Sequence, residues 1–218
     1  MRLRSTLRLV PPALALGALG AIRARAEEAP RLIAFGDSIT SGYLAAHPYA
    51  VQLAAARQRP LDNRAVAGSH AAEQRQAIAD AAASITPDDW VVWLCGYNDM
   101  RAGTALAAFR ADLDAALASL CGRSAWVWAG NCLRMTAEGY QEAHGPYGSD
   151  ARVAAVNAEI AGACLAAGAR YVDASAAYDP RNVQADLVHP DDAGHREIAG
   201  AFARAMRVRQ WVSVIQGG

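Results

Sequence analysis

A chain of 218 residues has room for one domain with a sizeable core, and 53% hydrophobic against 19% charged residues excludes a disordered polar chain. A formal net charge of zero gives no basic footprint of the kind that nucleic-acid binders carry. Every basic residue is arginine, which we read as compositional bias.

The first segment reads as an export signal. Arg2, Arg4 and Arg8 precede an apolar run from Leu9 to Ile22, and Ala24-Arg25-Ala26 matches the A-x-A pattern cut by signal peptidase. The run is too short for a membrane span. Pro11, Pro12, Arg23 and Arg25 depart from an ideal signal, so an N-terminal extension of a cytosolic protein is the alternative. Cleavage after Ala26 leaves 16 arginines against 21 acids, a formal charge of −5 that disfavours anionic lipid or DNA. The expected division is a signal peptide over 1–26, one domain over 27–209 and a tail over 210–218. The expected location is periplasmic or secreted, without a stable membrane anchor.

Short apolar runs then alternate with helical patterns. Strands are predicted at 31–36, 61–67, 90–95, 125–130 and 170–173. Helices are predicted near 48–58, 70–84, 104–121, 150–167 and 190–208. In the helix at 104–121, Thr104 is placed to cap, and Leu106, Phe109, Leu113, Ala116 and Leu120 recur at steps of three and four. Asp150 is the expected cap of the next helix, with Val153, Val156, Ile160 and Cys164 as its apolar stripe. Pro190 suits the first turn of the last one. The runs 90–95 and 125–130 are almost continuously apolar, as strands covered on both faces are. Repeated β-α units predict a parallel sheet between two helical layers, with the longest loops at 131–149 and 174–189. In such sheets the loops beyond the strands' C-terminal ends build the site.

Four such places carry chemistry. Gly36-Asp37-Ser38 follows the first strand and Gly68 follows the second. Asn98, in "GYND", follows the third, and Asp186 and His189, in "DLVHP", precede the last helix. A serine hydroxyl becomes nucleophilic when an imidazole takes its proton, and a carboxylate on the other ring nitrogen fixes the tautomer. His189 and Asp186 fit those roles, with Asp173 as a rival acid. The four blocks, in this order from about Arg31 to Met206, resemble the SGNH or GDSL hydrolase family. The resemblance implies a flavodoxin-like α/β/α sandwich with five parallel strands in the order 2-1-3-4-5. It also implies Ser38, Asp186 and His189 as the catalytic triad, with Ser38 N–H, Gly68 N–H and the Asn98 amide as the oxyanion hole. No cofactor or metal is required.

The neighbours have plainer expectations. Asp37 and Asp99 brace their loops, and Tyr97 and Arg101 line the pocket or merely flank it. Asp191 and His195, four apart on a helix, read as a solvated face rather than a metal pair. His47, His70 and His144 are surface or loop histidines, and Trp93, Trp126 and Trp128 pack in the sheet. Cys95, Cys121, Cys132 and Cys164 lack zinc spacing. Either Cys95 and Cys132 lie close enough to pair, or all four are buried thiols.

The expected activity is hydrolysis of carboxylic esters of short acyl groups, with a small or glycan-linked acyl ester as substrate. Lysophospholipase, thioesterase or O-acyltransferase activity would use the same residues. A catalytically silent ligand-binding module is the alternative from another class.

Overall fold

The structure, a computed structural model, describes residues 29–143 and 145–207. The expectations for the signal segment, the C-terminal tail and His144 lie outside the described residues. In chain order, β1 (Leu32–Gly36) leads into the one-turn α1 (Ser38–Ser41) and then α2 (Tyr49–Arg57). Next come β2 (Leu61–Asn63), α3 (Ala71–Ala81), β3 (Trp90–Leu94), α4 (Tyr97–Ala102) and α5 (Leu106–Cys121). The chain continues through β4 (Trp126–Gly130), α6 (Ala137–Ala143), α7 (Asp150–Ala167), β5 (Arg170–Val172), α8 (Ala174–Ala177) and α9 (Asp192–Arg207).

The five strands are parallel and ordered β2-β1-β3-β4-β5, as expected. All of β1 is buried, as are the last four residues of β3 and of β4. This is why these runs lack the polar alternation of a one-sided sheet. The helices α3, α5 and α7 pack side by side, while α9 packs on α2 and α8. Phe109, Leu113, Leu117 and Leu120 of α5 are buried, at about 1.5–3 kcal/mol of stabilisation each. Trp93 is buried and donates its indole N–H to Gln74 Oε1 at 2.6 Å, joining β3 to α3. No helix among the described residues is long and apolar enough to cross a membrane.

Element ends differ from expectation for local reasons. The β2 ladder stops at Asn63, although Arg64 N–H and Val66 N–H still reach Ala34 O (2.8 Å) and Gly36 O (3.0 Å). Thr104 does not cap α5, whose N-cap is Ala105 without a side-chain bond; the Thr104 N–H instead closes a turn onto Asp99 O at 3.0 Å. Ser149, not Asp150, caps α7 by accepting from Arg152 N at 3.1 Å. Pro190 lies before α9, and Asp191 Oδ1 takes the N–H groups of Ala193 and Gly194, each at 2.9 Å. The four cysteines are free thiols, with Cys95, Cys132 and Cys164 buried.

Candidate active site

The site begins with the exit from β1. Gly36 has φ +149°, and a Cβ there would lie 2.2 Å from Thr40 Oγ1 and 2.6 Å from Leu94 O. Only glycine lets the chain turn this tightly against β3. Asp37 then caps α1, its Oδ1 accepting from Ile39 N at 3.0 Å. Burial pushes the Asp37 carboxyl up to about 7, against the hydrogen bonds that lower it. Ser38 opens α1, buried but for 8% of its surface.

The segment 184–191 brings the other partners. Leu187 sits in the left-handed region at φ 59°, a conformation costing roughly 1–2 kcal/mol in a non-glycine residue. That bend lets Asp186 Oδ1 accept the N–H groups of Val188 and His189, each at 3.0 Å. The other oxygen, Oδ2, lies 2.6 Å from His189 Nδ1, and His189 Nε2 lies 2.8 Å from Ser38 Oγ. Burial would raise the Asp186 pKa, but the donors from His189 and Val188 outweigh it and hold the carboxyl below its ordinary value. An ionised carboxylate only accepts, so Nδ1 carries the ring proton and Nε2 presents its lone pair to Ser38.

Gly68 and Asn98 meet on the same rim through Ser69. The Asn98 amide donates one N–H to Ser69 O at 3.0 Å, and the Ser69 hydroxyl donates to Gly36 O at 3.3 Å. Gln74 Nε2 also donates to Ser69 O, at 3.1 Å. These bonds tie together the exits of β1, β2 and β3. Gly68 adopts φ +78° and faces open space. Its N–H has no acceptor among the described residues, and neither has that of Ser38. The second N–H of the Asn98 amide also remains for a ligand.

The neighbours resolve as follows. Asp173 is engaged elsewhere: its Oδ1 caps α8 by accepting from Ala176 N and also accepts from Asn131 Nδ2, both at 2.9 Å. Asp99 braces its surroundings, its Oδ2 accepting from Ala71 N at 2.9 Å. Tyr97 is buried, and that burial raises its phenol pKa; Arg101 is exposed. His47 is exposed and paired with Asp192 at 2.9 Å, and His70 is partly exposed. The expectation of a solvated Asp191–His195 face is corrected. His195 is fully buried beside Tyr49, its Nδ1 accepting from Tyr49 N at 3.2 Å, and burial lowers its pKa to about 4.

Three neighbours of the site were not anticipated. Tyr43 lays its ring 4.8 Å from that of His189. The backbone N–H of Gln184 donates to His189 O at 2.8 Å, and its side chain donates to Leu44 O at 3.2 Å. The third is Ser69, the clip described above. Tyr43 was accessible as the aromatic residue five places after the serine, whereas nothing in a single sequence marks Gln184 or Ser69.

A parallel α/β/α sandwich whose strand-end loops gather a serine, an imidazole and unused N–H donors defines the class as a hydrolase. The chain belongs to the GDSL-like lipase/acylhydrolase family, whose model matches residues 34–197. Solved structures agree on the fold. A member of the lipolytic G-D-S-L family from Veillonella parvula is 21% identical with a TM-score of 0.67, covering 84% of this chain and 100% of its own. A lipase/acylhydrolase from Enterococcus faecalis is 20% identical with a TM-score of 0.67, covering 83% and 97%. A catalytic mutant of an acetylxylan esterase from Geobacillus stearothermophilus is 18% identical with a TM-score of 0.64, covering 83% and 96%. None of the curated proteins compared with the chain matches it.

Proposed function

We propose that this hydrolase cleaves carboxylic esters through an acyl-enzyme on Ser38. The observation that carries the reading is the continuous relay Ser38 Oγ–His189 Nε2–Asp186 at 2.8 and 2.6 Å. His189 takes the hydroxyl proton as Ser38 Oγ attacks the ester carbonyl, and Asp186 stabilises the imidazolium that forms. The tetrahedral oxyanion is held by Ser38 N–H, Gly68 N–H and the free N–H of Asn98. Collapse expels the alcohol, which takes its proton from His189 Nε2. Water then attacks the acyl-serine by the same route, releasing the acid and restoring Ser38.

The polar segment 131–149 and the likeness to an acetylxylan esterase favour short acyl groups, sugar-borne acetyl among them. Thioester hydrolysis, lysophospholipid hydrolysis and transfer to a second alcohol would use the same residues, and product analysis with a competing acceptor separates transfer from hydrolysis. The N-terminal A-x-A pattern supports action outside the cytoplasm after removal of residues 1–26. The test is p-nitrophenyl acetate turnover, with labelling by a fluorophosphonate probe. Wild type should turn over and label, and a folded Ser38→Ala protein should do neither. Undiminished turnover by that variant would refute the mechanism.

A further inference from the structure

An aromatic ring stands beside the imidazole of His189. Tyr43 is 52% exposed, and its ring centroid lies 4.8 Å from that of His189 with a 56° tilt. Its ring contact among the described residues is with His189, and about half of its surface is open to solvent. Its position is fixed from both sides. The Tyr43 N–H donates to Ser38 O at 3.0 Å, and the next carbonyl, Leu44 O, accepts from the Gln184 side chain at 3.2 Å. Gln184 in turn holds the His189 carbonyl through its own N–H at 2.8 Å. The backbone that carries the ring is thus bonded both to the turn of Ser38 and to the loop of His189.

Under the ester-hydrolase reading, on which this inference rests, the leaving oxygen must come within about 3 Å of His189 Nε2 to be protonated. Carbon attached to that oxygen then falls within van der Waals reach of a ring packed on the same imidazole. We infer that Tyr43 is a specificity-determining residue that selects the alcohol portion of the substrate, favouring esters whose alcohol carries a flat ring. A straight alkyl alcohol leaves most of the phenol surface wet, whereas a ring removes both surfaces from water and packs face or edge on. The acyl portion projects from the other side of the carbonyl carbon and does not meet this wall.

The experiment compares kcat/KM of wild type, Tyr43→Phe and Tyr43→Ala on ethyl acetate, benzyl acetate and ethyl hexanoate. The first two share the acyl group and release a primary alcohol, so their ratio reports the alcohol side; the hexanoate-to-acetate ratio reports the acyl side. In Tyr43→Ala the benzyl-to-ethyl ratio should fall roughly three- to tenfold, the scale of one aromatic pair. It should hold in Tyr43→Phe, and the acyl ratio should hold in both. An equal fall on all three esters would overturn the inference, because the ring would then only prop His189. A changed acyl ratio, or no change, would overturn it too. A second measurement needs no turnover: in Ser38→Ala, benzyl alcohol should shift the His189 ring resonances in NMR and ethanol should not. Adding Tyr43→Ala should abolish the shift. A wild type inactive on every ester would count against the hydrolytic reading, and the NMR titration would still decide the role of Tyr43.

Discussion

Asp186→Asn tests the relay at its most specific point. The carbonyl oxygen of the introduced amide can still accept the N–H groups of Val188 and His189, which Asp186 Oδ1 takes at 3.0 Å each, so the loop should keep its shape. The second position changes sign. Where Oδ2 accepts from His189 Nδ1 at 2.6 Å, an amide NH2 donates, and the ring must answer with a lone pair. The proton moves to Nε2, which lies 2.8 Å from Ser38 Oγ and can no longer take the serine's proton. In the serine-protease triad that wrong tautomer costs about 10⁴ in kcat, or roughly 5 kcal/mol of barrier, and the same scale is expected here. The assay is kcat on p-nitrophenyl acetate between pH 6 and pH 9, with thermal melts confirming the fold. Asp173→Asn is the control: its carboxylate caps α8 and holds Asn131, so kcat should stay within about threefold of wild type, the range of an ordinary substitution away from the chemistry. Asp186→Asn within tenfold of wild type would refute the tautomer argument, and a collapse of Asp173→Asn with an intact fold would return the orienting role to Asp173.

Asn98→Ala should lower kcat by about 10²–10³ with little change in KM, the cost of one oxyanion donor; burst and steady-state kinetics read both. Because the variant also strips Ser69 O of a donor at 3.0 Å, melting curves should accompany it. Gly36→Ala should destabilise by about 2–5 kcal/mol in urea titrations, since its Cβ would meet Thr40 and the Leu94 carbonyl at a φ that L-residues avoid. His195 should make stability fall with acid. Its folded pKa of about 4 lies below the ordinary 6.5, so the unfolded chain takes up the proton first. Stability is complete above pH 6.5 and is lost as pH falls toward 4, by up to about 3 kcal/mol, and His195→Gln should flatten that slope in melts from pH 7 to pH 4.

The sheet was legible because its central strands are buried on both faces. Leu32–Phe35, Val91–Leu94 and Val127–Ala129 leave no polar residue to blur the pattern. Helices of 16 and 18 residues, α5 and α7, had enough turns for a stripe to repeat. The short helices α1, α4, α6 and α8 did not: with four to seven residues each, none completes two turns. Caps were misplaced by one residue where two cap formers adjoin, as Ser149 and Asp150 do. The order of four short blocks and its resemblance to a known family, not topology alone, put Ser38, Gly68, Asn98 and His189 forward as one set. Their supports were not readable, since the Gln184 bond to Leu44 O spans 140 residues and belongs to tertiary packing. His195 failed for the opposite reason: its spacing from Asp191 is a surface pattern, but α9 turns it inward onto Tyr49.

The electrostatics beneath the nucleophile follow from the same packing. Asp37 has a structural task where it stands, because α1 is a single turn and its side chain supplies the cap by accepting from Ile39 N. A full negative charge next to Ser38 would oppose the oxyanion of the proposed mechanism, since like charges in a dry site repel strongly. Burial eases the conflict by pushing Asp37 up to about 7, and it raises Asp99 as well. Asp186 is treated the other way: three donors from two adjacent residues hold its carboxyl below the ordinary value, where the proposed mechanism places an imidazolium. A carboxyl raised to about 7 beside Ser38 and one held low behind His189 would direct the negative potential onto the base and away from the oxyanion of the proposed mechanism. Helix capping at Asp37 is thereby made compatible with the nucleophilic role proposed for the next residue.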